Sequence, residues 1–229
     1  MIYFQFNGID SRNVKGLIVS ELPPLTKPAQ RIQTLNIDGR DGSIINPLGF
    51  ASYTKKIKIG LTTSSDINNI IKWLNGSGKL VLSYEPDKYY NATIYEQIDF
   101  NKLLRFRTAE ITFTVQPFKY SLTDETKTIT SGTSAKIANA GNYTAKPTIT
   151  VAGSGTVVLT LNGNYLCRLD LNENDQITLD SANQEAFDSN GLRNRDMSGN
   201  FAVLQQGINT LEWSGNVSFI QIKKYSRWL

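Results

Sequence analysis

Four short stretches and one cysteine hold residue types that chemistry uses. Gly76-Ser77-Gly78-Lys79 has the glycines and lysine of a phosphate-cradling loop. Such a loop runs from strand to helix and needs Ser or Thr after the lysine, whereas here the order is reversed and Leu80 follows; the stretch reads as a helix stop. Asp170, Asn172 and Asn174 copy the first ligands of a calcium loop, but Asp175 replaces its turn glycine and Ser181 its bidentate glutamate, which leaves a polar loop. Asp38, Asp41, Glu85 and Asp87 offer carboxylates for glycoside hydrolysis, a chemistry that needs two of them about 5 to 10 Å apart across a cleft. Near turn residues they read as surface acids. The single cysteine, Cys167, lies beside Leu166 and Leu169 and reads as core filler, since nothing nearby would hold a thiolate.

The chain has no histidine, so the commonest general base, the Ser-His and Cys-His pairs and most zinc geometries are missing together. The expectation is a protein that is not an enzyme and carries no catalytic residue, metal or cofactor.

The elements that would position these residues are mostly strands. The 229 residues suffice for two domains, and 40% hydrophobic with 19% charged residues fits a folded protein. No apolar run approaches the ~18 residues that span a bilayer, the N-terminus lacks the features of a secretory signal, and one cysteine makes no internal disulfide. These features fit synthesis in a cytoplasm and no membrane partner. The net charge of +4 divides as +5 up to Tyr120 and −1 beyond it, with the positive charges dispersed rather than striped among aromatics. Sequence-specific nucleic-acid binding is not expected.

In the first half, apolar and polar residues alternate in runs bounded by turns. Ile2, Phe4 and Phe6 lead into the hairpin pair Asn7-Gly8. Ile57, Ile59 and Leu61 form another run. Ala92, Ile94, Glu96, Ile98 and Phe100 reach Asn101-Lys102, and with Ile111, Phe113 and Val115 they read as a hairpin. One segment keeps helical spacing: Ile67, Ile70, Ile71 and Leu74, after the cap candidates Ser64, Ser65 and Asp66 and before the stop Asn75-Gly76.

After Ser121 the texture turns to Thr, Ser, Asn and Gly, with turn signals about every eight to twelve residues, which favours a β-sandwich. A strand from Pro147 to Val151 is expected to end at Gly153-Ser154-Gly155. Val157, Leu159 and Leu161 meet Asn162-Gly163, and Ile208–Trp213 and Val217–Ile222 flank Ser214-Gly215-Asn216 as a last hairpin. Asp188 to Asn200 shows no periodicity and reads as an exposed loop.

In order, these landmarks resemble the distal tail proteins of long-tailed bacteriophages (siphovirus type) of Gram-positive hosts. The resemblance rests on Phe6-Asn7-Gly8, Asp38-Gly39-Arg40-Asp41-Gly42, Trp73-Leu74-Asn75-Gly76, Gly78-Lys79-Leu80, Glu85-Pro86-Asp87-Lys88-Tyr89-Tyr90 and Pro117-Phe118-Lys119-Tyr120. It continues with Asn139-Ala140-Gly141-Asn142, Lys146-Pro147, Gly153-Ser154-Gly155 and Gly207-Ile208-Asn209. It implies a mainly β protein: residues 1–122 as a β-barrel-like domain with one α-helix, and residues 123–229 as a galectin-like β-sandwich. It further implies a virion component of the tail tip or baseplate. The first domain would form a hexameric ring between the tail tube protein and the tail-tip (tail-associated) protein, with DNA passing through its lumen. Within such a ring, the turn with Asp38, Arg40 and Asp41 and the segment with Glu85, Asp87, Tyr89 and Tyr90 are the expected interface, because loops carry contacts on rigid β scaffolds.

A second reading, a module binding host cell-wall glycans, would use Tyr143, Tyr165 and Trp213 as platforms. Against it, the histidine of sugar-binding galectins is missing, and Trp213 is followed by Ser214-Gly215 rather than by that family's glutamate and arginine.

Overall fold

A computed structural model describes residues 2–62, 65–103 and 106–229. The chain is mainly β and divides into two compact units, Met1–Leu122 and Thr123–Trp228.

The first unit contains β1 (Phe4–Phe6), β2 (Ile9–Asp10), β3 (Leu17–Glu21), β4 (Gln30–Asn36), β5 (Ser43–Phe50), β6 (Tyr53–Leu61), α1 (Ile67–Trp73), β7 (Gly76–Leu82), β8 (Glu85–Ile94), β9 (Asn101–Leu103) and β10 (Phe106–Ser121). Its curled sheet runs β2-β1-β7-β8-β10-β6-β3, with β9 paired to the start of β10. Alternation decides which residues face inward: Phe4, Phe6, Ile57, Ile59, Leu61, Ile111, Phe113 and Val115 are all buried. Asn7 and Gly8, both with positive φ, make the tight turn between β1 and β2.

The helix lies against this core through Ile70 and Leu74, while Ile71 is exposed. Asp66 caps it by accepting from the Asn68 and Asn69 amides; Ser64 lies outside the described residues. Trp73 fixes its end. The indole stacks on Phe4 at 5.4 Å and donates to the Phe6 carbonyl at 2.9 Å.

Sequence and structure differ around residue 95. β8 begins at Glu85 and stops at Ile94, so Glu96, Ile98 and Phe100 are outside any strand, although β8 and β10 do pair as neighbours. The alternation persists past the strand end because Ile98 and Phe100 pack onto the core without strand pairing.

β4 and β5 stand apart from the main sheet as a two-stranded hairpin, an arm with every residue from Gln30 to Gly49 exposed. Its apolar side chains show no period of two, so no strand pattern singled it out.

The second unit contains β11 (Lys127–Ile129), β12 (Ser134–Asn139), β13 (Thr148–Leu161), β14 (Asn164–Asp180), β15 (Glu185–Asp188), β16 (Gly191–Leu192), β17 (Met197–Gly199) and β18 (Gly207–Lys223). Three of these are long and adjacent, in the order β18-β13-β14. One half of each belongs to a layer closed by β12 and β17, the other half to a layer closed by β11, β15 and β16. Ile149 and Val151 from one half of β13 and Val157 and Leu159 from the other share one buried core, as a β-sandwich requires.

Two glycine-rich stretches read as turns are therefore bends within strands. Gly153-Ser154-Gly155 sits at a register shift in β13, and Ser214-Gly215-Asn216 lies inside β18 where it shifts against β13. A Cβ on Gly153 would stand 2.0 Å from the Asn216 carbonyl oxygen, and one on Gly215 would stand 2.3 Å from that of Thr156. Glycine here serves close backbone approach rather than chain reversal.

The stretch after Asp188 also differs from the exposed loop expected. It forms β16, a 3-10 turn at Asn194–Asp196 and β17, around Arg193, whose guanidinium binds Asp175, Asp188 and Asp196. An ion-pair node leaves no hydrophobic period in sequence.

Candidate assembly surface

The stretches that could have done chemistry are occupied by structure. Gly78, the third residue of β7, lies tightly against the Asn7 side chain, and the Lys79 amine stands 4.5 Å over the Tyr89 ring. Asn172 to Asn174 are the residues by which β14 bulges between its pairings at Leu171 and Asp175. The acids around that bulge are held by arginines. Asp170 accepts from Arg168 at 2.9 Å, and Asp175 accepts from Arg193 at 2.9 Å and from the Asn172 amide, which hold its carboxyl down at about 2. Cys167 is fully buried, and that burial pushes its thiol up to about 12, far from a thiolate at neutral pH.

The aromatic candidates divide. Trp213 is only 7% exposed and belongs to the sandwich core. Tyr143 lies under the Arg227 guanidinium at 5.3 Å. Tyr165 is 55% exposed, with its hydroxyl donating to the Ser198 carbonyl at 3.0 Å. These three contribute to no common platform.

The residues expected to carry assembly fall on two elements. Asp38, Arg40 and Asp41 form the tip of the arm, where Gly39 and Gly42 take positive φ and the Arg40 amide donates to the Ile37 carbonyl. All three side chains are exposed and make no ion pair among the described residues. Glu85, Asp87, Tyr89 and Tyr90 lie on β8 in the main sheet. Glu85 takes the Lys119 amine at 2.8 Å, and Asp87 takes Lys88 at 2.8 Å. Tyr89 stacks on Tyr120 at 5.7 Å. Tyr90 points the other way: it is 3% exposed and packs in the core, where desolvation raises its phenol's pKa well above the ordinary range.

Beneath this segment lies an unexpected group. Lys55 sits on the inward face of β6, 1% exposed, with its amine over the rings of Tyr90 at 5.1 Å and Tyr53 at 5.4 Å. It donates to the Pro24 carbonyl at 3.0 Å, in the segment that leads from β3 to the arm. Burial, reinforced by Lys119 and opposed by Glu85, lowers its pKa to about 8.

The arm itself is the largest surface feature that sequence reading missed. Ile32, Leu35, Ile37, Ile44, Ile45 and Leu48 are each between about 40 and 60% exposed, from 39% at Ile44 to 61% at Ile45. Its base is attached by the Phe50 ring edge-on to Phe118 at 5.7 Å, and the Ala51 amide closes the hairpin by bonding to the Ala29 carbonyl. The signal was compositional: six large apolar residues flanking an Asp-Gly-rich turn.

Comparison with known proteins agrees with this architecture. Residues 12–115 match the family of the phage tail protein RIFT-related domain. The fold of the entire chain is similar to that of the Dit protein of phage SPP1, described as a paradigm of hub adsorption apparatus in Gram-positive infecting phages. That likeness has a TM-score of 0.75 at 16% identity, over 98% of this chain and 99% of that one. Chains of the phage P2 baseplate in its activated conformation are also similar, with a TM-score of 0.52 at 9% identity and 97% of both chains covered. No curated protein matches. Within the first unit, residues 12–115 therefore match the phage tail protein RIFT-related domain, and the chain as a whole is similar in fold to the Dit protein of phage SPP1.

Proposed function

We propose that this chain is a structural hub of a phage tail tip or baseplate rather than an enzyme. Its first unit assembles with copies of itself into a hexameric ring that continues the tail tube, receives the tail-tip protein and lets DNA pass through the lumen. The observation that carries this reading is the arm. An isolated two-stranded hairpin is marginal in water, and this one exposes six large apolar side chains on a protein whose core is complete without them. A second copy covers it most economically, since one heterologous contact repeated around an axis closes a ring.

In this assembly Asp38, Arg40 and Asp41 at the arm's tip, together with Glu85, Asp87 and Tyr89 on β8, lie at the contact between neighbours, with Tyr90 supporting β8 from the core side. The phage-tail family match and the likeness to hub and baseplate chains support the same role. Synthesis takes place in the host cytoplasm, and the protein then becomes part of the virion.

The test is native mass spectrometry of the full chain at micromolar concentration, with and without a tail-tip extract. A hexamer is expected, and L35E/I45E is expected to stay monomeric with an unchanged circular dichroism spectrum. A wild-type monomer that also fails to join tail particles overturns the proposal.

A further inference from the structure

The second unit carries a groove of about 470 Å³ between β11 and β12. Lys127 comes from β11, Lys136 from β12 and Lys224 from just beyond β18, with Glu125 on the rim. Three of the five lysines after Tyr120 thus converge on one hollow, in a part of the chain whose net charge is −1. Five of this unit's ten acids are bound by other groups: Asp175, Asp188 and Asp196 by Arg193, Asp170 by Arg168, and Asp124 by the amide and hydroxyl of Ser226. Lys224 keeps only a loose pairing with Asp124 at 3.8 Å, and Lys127 and Lys136 have no ion pair among the described residues.

The groove's walls are backbone edges. Among the described residues, β11 and β12 each pair with β18 alone, leaving one side of each strand open. The Lys136 carbonyl receives a hydrogen bond from the Lys127 amine at 3.3 Å, a side-chain donor where a neighbouring strand would supply an amide. An occupant must therefore meet two demands. It must bring negative charge to the lysines, and it must bring N–H donors to main-chain carbonyls and to Glu125. A phosphate polymer meets the first demand but has no N–H donor for the second. An extended peptide with acidic side chains meets both.

We propose that this groove is a docking site for an extended acidic segment of another protein, which adds as a strand beside β12 with its carboxylates paired to Lys127, Lys136 and Lys224. Strand addition supplies main-chain hydrogen bonds, and the lysines select the charge. The site is independent of the arm, so it stands or falls apart from ring assembly.

The experiment titrates the full chain with a ten-residue peptide of alternating Glu and Val, and separately with inorganic polyphosphate, following backbone amide signals by NMR. The expected result is peptide binding that shifts the Ser134–Asn139 amides and weakens about tenfold or more in K127E/K136E. K127Q/K136Q, which removes charge at exposed positions without reversing it, should keep the wild-type melting temperature and lose part of the affinity. No peptide binding, binding unchanged in K127E/K136E, or polyphosphate bound in preference to the peptide each overturns the proposal.

Discussion

The Lys55 amine donates to the Pro24 carbonyl at 3.0 Å, joining the interior of the curled sheet to the segment from which the arm grows. A lysine at this depth is held charged at a cost, and its pKa is lowered to about 8 chiefly by burial. In the unfolded chain it returns to about 10.4, so between those values the unfolded state binds more protons and stability rises with pH. The slope from this one group reaches about 1.4 kcal/mol per pH unit at most. Lys55→Met is expected to stabilise the fold at pH 7, with the gain shrinking as pH climbs from 8 to 10.5. Urea unfolding at pH 7, 9 and 10.5 measures this, and an identical pH profile in both proteins would refute it.

Gly153 and Gly215 sit where β13 and β18 approach too closely for a side chain. Gly153→Ala places a Cβ against the Asn216 carbonyl, and neither backbone can yield without disturbing a paired strand. A loss of about 1 to 3 kcal/mol is expected, as for other overpacked sites. Gly163→Ala is the informative control, since a Cβ there meets no atom within 4 Å. It suffers only the strain of its positive φ, and should destabilise less.

Trp213 packs in the sandwich core, so Trp213→Ala should behave as a cavity mutant and cost about 3 to 5 kcal/mol. Denaturant unfolding read by circular dichroism checks this. A folded, fully stable W213A protein would mean that the ring does not support the core.

Arg193 binds three carboxylates, and its hydrogen bonds to Asp175 are the main reason that acid's pKa falls to about 2. A depressed pKa gives stability that is full above the unfolded value near 4 and lost as pH falls through 4 towards 2. Arg193→Gln should lower the melting temperature at pH 7 and narrow its gap from wild type as the pH drops to 2. Thermal melts at pH 7, 4 and 2 decide the matter, and a gap that is constant with pH would contradict the argument.

Much of the fold was legible in the sequence because its rules are local. Alternation placed Phe4, Ile57 and Phe113 inward, Asn7-Gly8 and Asn162-Gly163 set two hairpins, and Asp66 capped the helix Ile67–Trp73. The two glycine-rich bends were misread for one cause: a glycine cluster looks the same whether the chain reverses or merely bends, and only the partner strand decides. Gly153 and Gly215 each face a backbone that is distant in sequence, which no window along the chain reveals. The arm was missed for a related reason. Its apolar residues follow no period because they face no core of their own, and only its Asp38–Gly42 tip drew notice, as a turn. Lys55 occupies an alternating inward position that hydropathy assigns to the surface.

The sharing of β13, β14 and β18 between both layers of the sandwich has a mechanical side. In a sandwich of separate sheets the layers meet only through side chains and can slide under load. Here three continuous backbones cross from one layer to the other, so shear must bend covalent chain at the glycines of β13 and β18 and at the Asn172–Asn174 bulge of β14 before the core can part. Force entering at one face is passed to the other as through a folded leaf spring, with its stiffness set at the bends around Gly153 and Gly215.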